Sequence, residues 1–224
     1  WPSDKHRLRV RFLDGSTWER DEVKHLITKH YHSIPMRIRF EFLKKGSTGP
    51  SDIRINFTDE SKSYIGRDAE NYPDKPTMWL NMHPNRPSTK GKRWKRQADV
   101  LHEFGHALGM VHEQQHPDCR ANWDYRVLQA KHGWDAQKVH RNYKKVDALK
   151  ARLTPYDPES IMHYGVTKGD TKSQNMEVPQ NNVLSEGDKR FLMAIYPVEQ
   201  IPRPKTERKR EPKSTKKSDK SLVP

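Results

Sequence analysis

The chain has 224 residues and a single cysteine, Cys119, so no disulfide can form within it and a small disulfide-stapled scaffold is excluded. Apolar residues nowhere run together for the roughly 20 positions that a membrane-crossing helix needs. No signal-like apolar segment opens the chain, although a processed chain would have lost one. Internal repeats are absent, and no second domain is expected after Pro197. Residues 201–224 contain no aromatic side chain, which argues against a platform that stacks single-stranded bases.

Charge is what the chain has in excess. Lys and Arg number 43 against 29 Asp and Glu, a formal net charge of +14. Residues 201–224 alone hold nine Lys or Arg and three Asp or Glu. With so little to bury, residues 198–224 are expected to form a disordered basic tail, either a solubilising extension or a contact for anionic surfaces. Phosphate contacts supply affinity without sequence specificity, so no sequence-specific nucleic-acid partner is expected. The remaining residues suffice for one domain with a substantial core, or for two closely joined halves.

The chemistry concentrates in His102-Glu103-Phe104-Gly105-His106-Ala107-Leu108-Gly109-Met110-Val111-His112. Positions four apart share a helix face, so His102 and His106 can grip one ion together. Glu103 sits close enough to act on a water at that ion. Gly109 can adopt backbone angles that other residues avoid, so the helix can stop there and the chain can bring His112 back as a third ligand. Three imidazoles plus room for water make a catalytic zinc site, whereas a structural site is closed by a fourth protein ligand. A bare H-E-x-x-H arises by chance in unrelated proteins; the added glycine and third histidine make the metzincin signature. That signature requires a downstream Met-turn. Ser160-Ile161-Met162-His163-Tyr164 supplies one, although a lone methionine is ordinarily core filler.

At these residues the chain resembles the astacin family of zinc endopeptidases. Glu113 directly after His112 and the S-x-M-x-Y of Ser160, Met162 and Tyr164 distinguish this family from other metzincins. Trp1-Pro2, Ser63-Tyr64-Ile65-Gly66, Leu184-Ser185-Glu186-Gly187-Asp188 and Ile195-Tyr196-Pro197 extend the likeness over residues 1–197. Ser51-Asp52-Ile53-Arg54-Ile55 is most similar in style to microbial or fungal members.

The resemblance implies one catalytic Zn2+ held by His102, His106 and His112, with Tyr164 as a further ligand that swings away when substrate binds and then assists the oxyanion. It implies Glu103 as general base, Met162, Glu113 and Gly109 as structural support, and hydrolysis of internal peptide bonds of protein or peptide substrates. It also implies a secreted chain, expected to act as a monomer. Two departures stand out. Family members typically carry two disulfides, and Cys119 has no partner. The family buries a trimmed N-terminus near the residue equivalent to Glu113, while this chain starts at Trp1. Two rival readings are a zinc-binding protein that no longer catalyses and a polyanion binder acting through the tail.

Patterning predicts the frame. Leu8, Val10 and Phe12 alternate with Arg, as do apolar residues at Met36–Phe42 and Ile53–Phe57, giving three strands. Val23, Leu26, Ile27, Tyr31 and Ile34 fall at helical spacing. Thr77-Met78-Trp79-Leu80-Asn81 reads as a fourth strand, which by family analogy lies over the cleft and pairs with extended substrate. Helices are expected over 93–108, 122–132 and 135–146, with a last helix opened by a capping box at Ser185 and Asp188. The fold class is therefore α+β and two-lobed. An upper lobe of about 1–112 carries a mixed twisted sheet with helices. A lower, irregular lobe of about 113–197 carries the Met-turn and the C-terminal helix.

Overall fold

The structure is a computed structural model that describes residues 1–82, 92–149, 154–174 and 176–198. Residues 199–224, which include nearly all of the expected tail, lie outside the described residues.

The first strand, β1 (Arg7–Phe12), buries Leu8 and Val10 and turns Arg7 and Arg9 outward, as its alternation requires. Ser16 then starts α1 (Thr17–His30) with a reciprocal capping box to Glu19. The helix buries Val23, Leu26 and Ile27 and returns the chain to β2 (Arg39–Phe42), parallel to β1. β3 (Ile53–Phe57) pairs parallel with β1 on its other side. The expected strand from Met36 begins at Arg39, although Met36 and Ile38 are buried.

β4 (Lys62–Ser63) and β5 (Met78–Leu80) complete a five-stranded mixed sheet of order β2-β1-β3-β5-β4. β5 lies parallel to β3 and antiparallel to β4. The strand Thr77–Asn81 therefore cannot receive a substrate strand. Met78, Trp79 and Leu80 are paired with β3, Met78 and Trp79 also with β4, Thr77 donates to Arg54 and accepts from Tyr64, and Asn81 donates to Ser61 Oγ. The edge of the sheet beyond β5 belongs to Lys62–Ser63, two polar residues with no apolar period to announce them.

α2 (Lys92–Ala107) packs against α1 and under β4 and β5. Phe104 meets Phe40 edge-on at 4.9 Å, and Tyr31 donates its hydroxyl to the Leu101 carbonyl at 2.6 Å. The end of α2 is closed from far away in the sequence. Trp1 Nε1 donates to the Ala107 carbonyl at 2.8 Å and the Tyr196 hydroxyl to the Leu108 carbonyl at 2.7 Å, satisfying acceptors that a helix end leaves open.

α3 (Tyr125–His132) and α4 (Ala136–Tyr143) start later than the pattern suggests because Asp124 and Asp135 serve as caps outside the helices. α4 ends at Tyr143, before Val146, whose N–H bonds the Gln115 carbonyl instead. α5 (Glu186–Ile195) opens on the expected Ser185/Asp188 capping box.

Buried apolar side chains form two clusters. The larger joins the sheet, α1 and α2 with Ile161, Met162, Leu184, Leu192 and Tyr196; the smaller gathers Cys119, Trp123, Leu128, Val139, Tyr143, Val166 and Val178. α5 thus returns to the first core, and the Met-turn sits where the two clusters meet the end of α2.

Candidate active site

α2 presents two of the three imidazoles. His102 and His106 are buried one helical turn apart, with ring centroids 4.7 Å from each other. Gly109 takes φ +91, a backbone state that favours glycine, and the chain turns sharply there. His112 comes back with its ring 4.7 Å from His106 and 5.2 Å from His102. One nitrogen from each ring lies within 4.8 Å of the other two.

Second contacts fix which nitrogens face inward. His102 Nδ1 lies 2.9 Å from the Ile161 carbonyl, and His106 Nδ1 2.8 Å from the Met110 carbonyl. A carbonyl only accepts, so each Nδ1 carries the proton and each Nε2 keeps its lone pair for a metal. Burial pushes His102 down to about 4 and His106 down to about 3, the latter helped by repulsion from His102. Burial and the neighbouring imidazoles hold His112 well below the ordinary range. All three are neutral at pH 7, the form a metal requires.

The donor set fits zinc. His106 Nε2 and His112 Nε2 are 3.1 Å apart, close to the about 3.3 Å that separates two nitrogen ligands of a tetrahedral zinc. Glu103 is buried beside them, and its Oε2 has no partner among the described residues. Burial, with Asp99 adding repulsion, raises its carboxyl well above the ordinary range. An orphaned carboxyl oxygen next to three lone pairs is costly until a cation and its water answer both.

The Met-turn supports this centre through a chain of hydrogen bonds. Asp188 of α5 accepts from Ser160 Oγ at 2.6 Å and from the Ile161 N–H at 2.8 Å. The Ile161 carbonyl in turn meets His102. Glu113 donates its N–H to the Met162 carbonyl at 3.1 Å, while its carboxylate accepts from the Asp157 N–H at 2.8 Å. Burial pushes the Glu113 carboxyl up to about 7 against that hydrogen bond.

Met162 is fully buried under Gly105. A Cβ on Gly105 would stand 2.5 Å from Met162 Sδ and 3.4 Å from the Tyr31 hydroxyl. Alanine there gains about 1 kcal/mol of helix propensity, but the clash in a closed core costs about 1–3 kcal/mol. Gly105→Ala is accordingly expected to lower both thermal stability and zinc affinity. A raised melting temperature would show that Met162 moves aside freely.

The cleft is lined on one side by Ser61, Lys62 and Ser63 and on the other by Trp134, Lys138, Arg141 and Asn142, with Glu103, His106, His112 and Tyr164 at its floor; its volume is about 480 Å³. Tyr164 is half-buried, its ring 4.5 Å from His112 and 5.5 Å from His102. Its hydroxyl donates to Asn142 Oδ1 at 3.3 Å. The structure thus gathers His102, Glu103, His106, Gly109, His112, Glu113, Met162 and Tyr164 in one place, and leaves Thr77, Met78, Trp79, Leu80 and Asn81 as an inner strand. Sequence reading missed the positions of Gly105, Gln114 and Asn142, and took Asp188 only for a helix cap. Of these only Gly105, a glycine inside a helix, carried any sequence signal.

Comparison with known proteins agrees with this geometry. Residues 21–187 match the model of the Astacin peptidase family. The chain is 30% identical over 118 residues to zinc metalloproteinase nas-39 of Caenorhabditis elegans, covering 47% of this chain and 12% of that protein. It is 34% identical over 84 residues to astacin-like metalloprotease toxin 2 of Loxosceles intermedia, covering 37% and 31%. It is 37% identical over 81 residues to meprin A subunit beta of Homo sapiens, covering 34% and 11%. The chain therefore spans less than a third of the length of each of these relatives. Among solved structures, myroilysin superposes with a TM-score of 0.75 at 30% identity, covering 89% of this chain and 96% of that one. The hatching enzyme HCE-1 of Oryzias latipes shares the fold, with a TM-score of 0.55 at 20% identity over 85% and 88% of the two chains. This chain belongs to the astacin family of peptidases.

Proposed function

We propose that the chain is a zinc-dependent endopeptidase that cuts internal peptide bonds of proteins, with residues 1–197 as the protease domain. The observation that carries this reading is the three inward-facing imidazole nitrogens beside the unpartnered Oε2 of Glu103. His102, His106 and His112 hold the ion. Zinc supplies a lowered water pKa and a polarised scissile carbonyl. Glu103 takes the water's proton on Oε2 and returns it to the leaving amine. Asp188 and Ile161 keep His102 in the tautomer that leaves Nε2 free, and Met162 and Glu113 brace the floor.

The substrate lies along the open edge of β4. Its main chain pairs there with Lys62 and Ser63, which leaves side-chain choice to the walls. Lys138 and Arg141 on one wall are answered by Asp59 and Glu60 on the other, with Glu60 pairing to Lys138 at 3.9 Å and to Lys62 at 3.6 Å, so charge alone sets no preference beside the cut bond. The nine cations of the tail add attraction to anionic surfaces, screened by salt. Secretion and a monomeric state accompany this reading, following the family resemblance.

Tyr164 is the mobile member of the site, its hydroxyl held on Asn142 at rest and donated to the oxyanion in turnover. Tyr164→Phe is expected to lower kcat about 100-fold and to move KM far less, since one oxyanion donor contributes on that order. An unchanged kcat rejects the role. The function itself is tested by incubating the purified chain with casein and a peptide library and sequencing the products. Internal cuts are expected. Release of terminal residues alone, or no cleavage, sinks the proposal.

A further inference from the structure

Asn142 lies at the end of α4, and its side chain is oriented by what it touches. Nδ2 donates to the Lys138 carbonyl at 2.7 Å, so Oδ1 is the atom left facing the Tyr164 hydroxyl. Oδ1 can only accept, and a phenol has one hydrogen, so that hydrogen is committed to Asn142. The separation of 3.3 Å exceeds the usual 2.5–3.0 Å for two oxygens, so the bond is weak and readily exchanged.

Both partners are anchored by one residue. Gln114, fully buried and two positions beyond His112, donates Nε2 to the Asn142 carbonyl at 3.0 Å and accepts the Tyr164 N–H on Oε1 at 3.1 Å. Tyr143, next to Asn142, sets its ring edge-on to Tyr164 at 6.0 Å and is itself held by His132 at 2.9 Å. The backbones on either side of the Tyr164–Asn142 contact are thus fixed, while the contact itself is loose.

We infer that Asn142 is a positioning residue for Tyr164, receiving the phenolic hydrogen between turnovers and yielding it to the substrate's carbonyl oxygen during them. The inference rests on the proposed role of Tyr164 in peptide hydrolysis. Asn142 does not touch the reacting atoms. It decides where the hydroxyl waits.

Two readouts test it. With Cu2+ in the histidine cluster, an approaching tyrosine oxygen gives a visible charge-transfer band, and Tyr164→Phe supplies the blank. Asn142→Ala frees the hydroxyl and is expected to intensify that band at least twofold. If the alanine variant does not fold, Asn142→Asp, a stronger acceptor, is expected to weaken the band by a similar factor. In zinc-loaded protein, Asn142→Ala is expected to lower kcat about fivefold with KM within twofold, and to have less than a twofold effect in a Tyr164→Phe background, because residues acting through one group are not additive. A copper spectrum identical to wild type, or an Asn142→Ala loss undiminished in Tyr164→Phe, overturns the assignment. The copper measurement needs no turnover, so a chain without peptidase activity would defeat the proposed function while leaving this test intact.

Discussion

Glu103→Gln is expected to keep zinc bound and to cut peptide hydrolysis by about 10³-fold, inside the 10²–10⁴ range of a positioned general base. Glutamine keeps the shape of the side chain and removes its basic oxygen. None of the contacts that orient the three imidazoles passes through Glu103: His102 is held by Ile161, His106 by Met110, and the turn to His112 by Gly109. Metal content should therefore equal wild type by elemental analysis, while kcat/KM on a quenched peptide collapses. More than a tenth of the wild-type rate remaining would remove Glu103 from the base role. Zinc lost along with activity would instead show that its carboxylate helps hold the ion.

Stripping the metal is expected to abolish hydrolysis reversibly and to leave a chain that weakens in acid. Zinc at about 1,000 times its dissociation constant adds about 4 kcal/mol, a large share of an ordinary folding stability of about 5–15 kcal/mol. Without it, His102, His106 and His112 are buried neutral, with folded pKa values of about 4, about 3 and well below the ordinary value of 6.5. Between about pH 6.5 and 4 the unfolded chain therefore binds protons that the folded chain refuses. Stability rises with pH across that window and is lost as pH falls through it. Glu103 and Glu113 act in the opposite sense, since burial raises their pKa values and the folded state keeps their protons. Burial also holds His30, His32, His132 and His163 below the ordinary value and raises Asp188, so seven imidazoles stand against three carboxyls and the expected balance is a net loss toward acid. Melting temperatures in chelator at pH 8 and pH 5 check this, and a higher midpoint at pH 5 would show that the carboxyls dominate. Peptidase activity should return when zinc is restored at pH 8.

The centre itself was legible in the sequence because helical spacing and one glycine turn place His102, Glu103, His106 and His112 with no help from the rest of the chain. Alternating residues also announced β1, and helical spacing announced α1. The edge formed by β4 was not legible. Lys62 and Ser63 bury little, and only the pairing of Met78 and Trp79 with them reveals which strand is outermost. The supports of the site were hidden for a different reason. Asp188 reaches Ile161 across 27 residues, Asn142 reaches Tyr164 across 22, and Met162 settles under Gly105 from a distant turn. Such contacts exist only once the two clusters have packed together, so no local pattern records them.

Gly66 adds one more case. Its φ is +50, and a Cβ there would lie 3.4 Å from Gly109 Cα, so the loop after β4 rests on the very turn that returns His112.

The side chains that close α2 have a bearing on how the molecule is made. Ala107 and Leu108 are capped by Trp1 and Tyr196, 195 positions apart, and the two meet through the Trp1 main-chain nitrogen and the Tyr196 hydroxyl at 3.2 Å. Contacts of such long sequence separation form late in folding. On a ribosome, the helix that bears the first two imidazoles emerges long before the tyrosine that seals its end. A half-made chain thus lacks this cap on α2, and the floor beneath the imidazoles is complete only once α5 has docked.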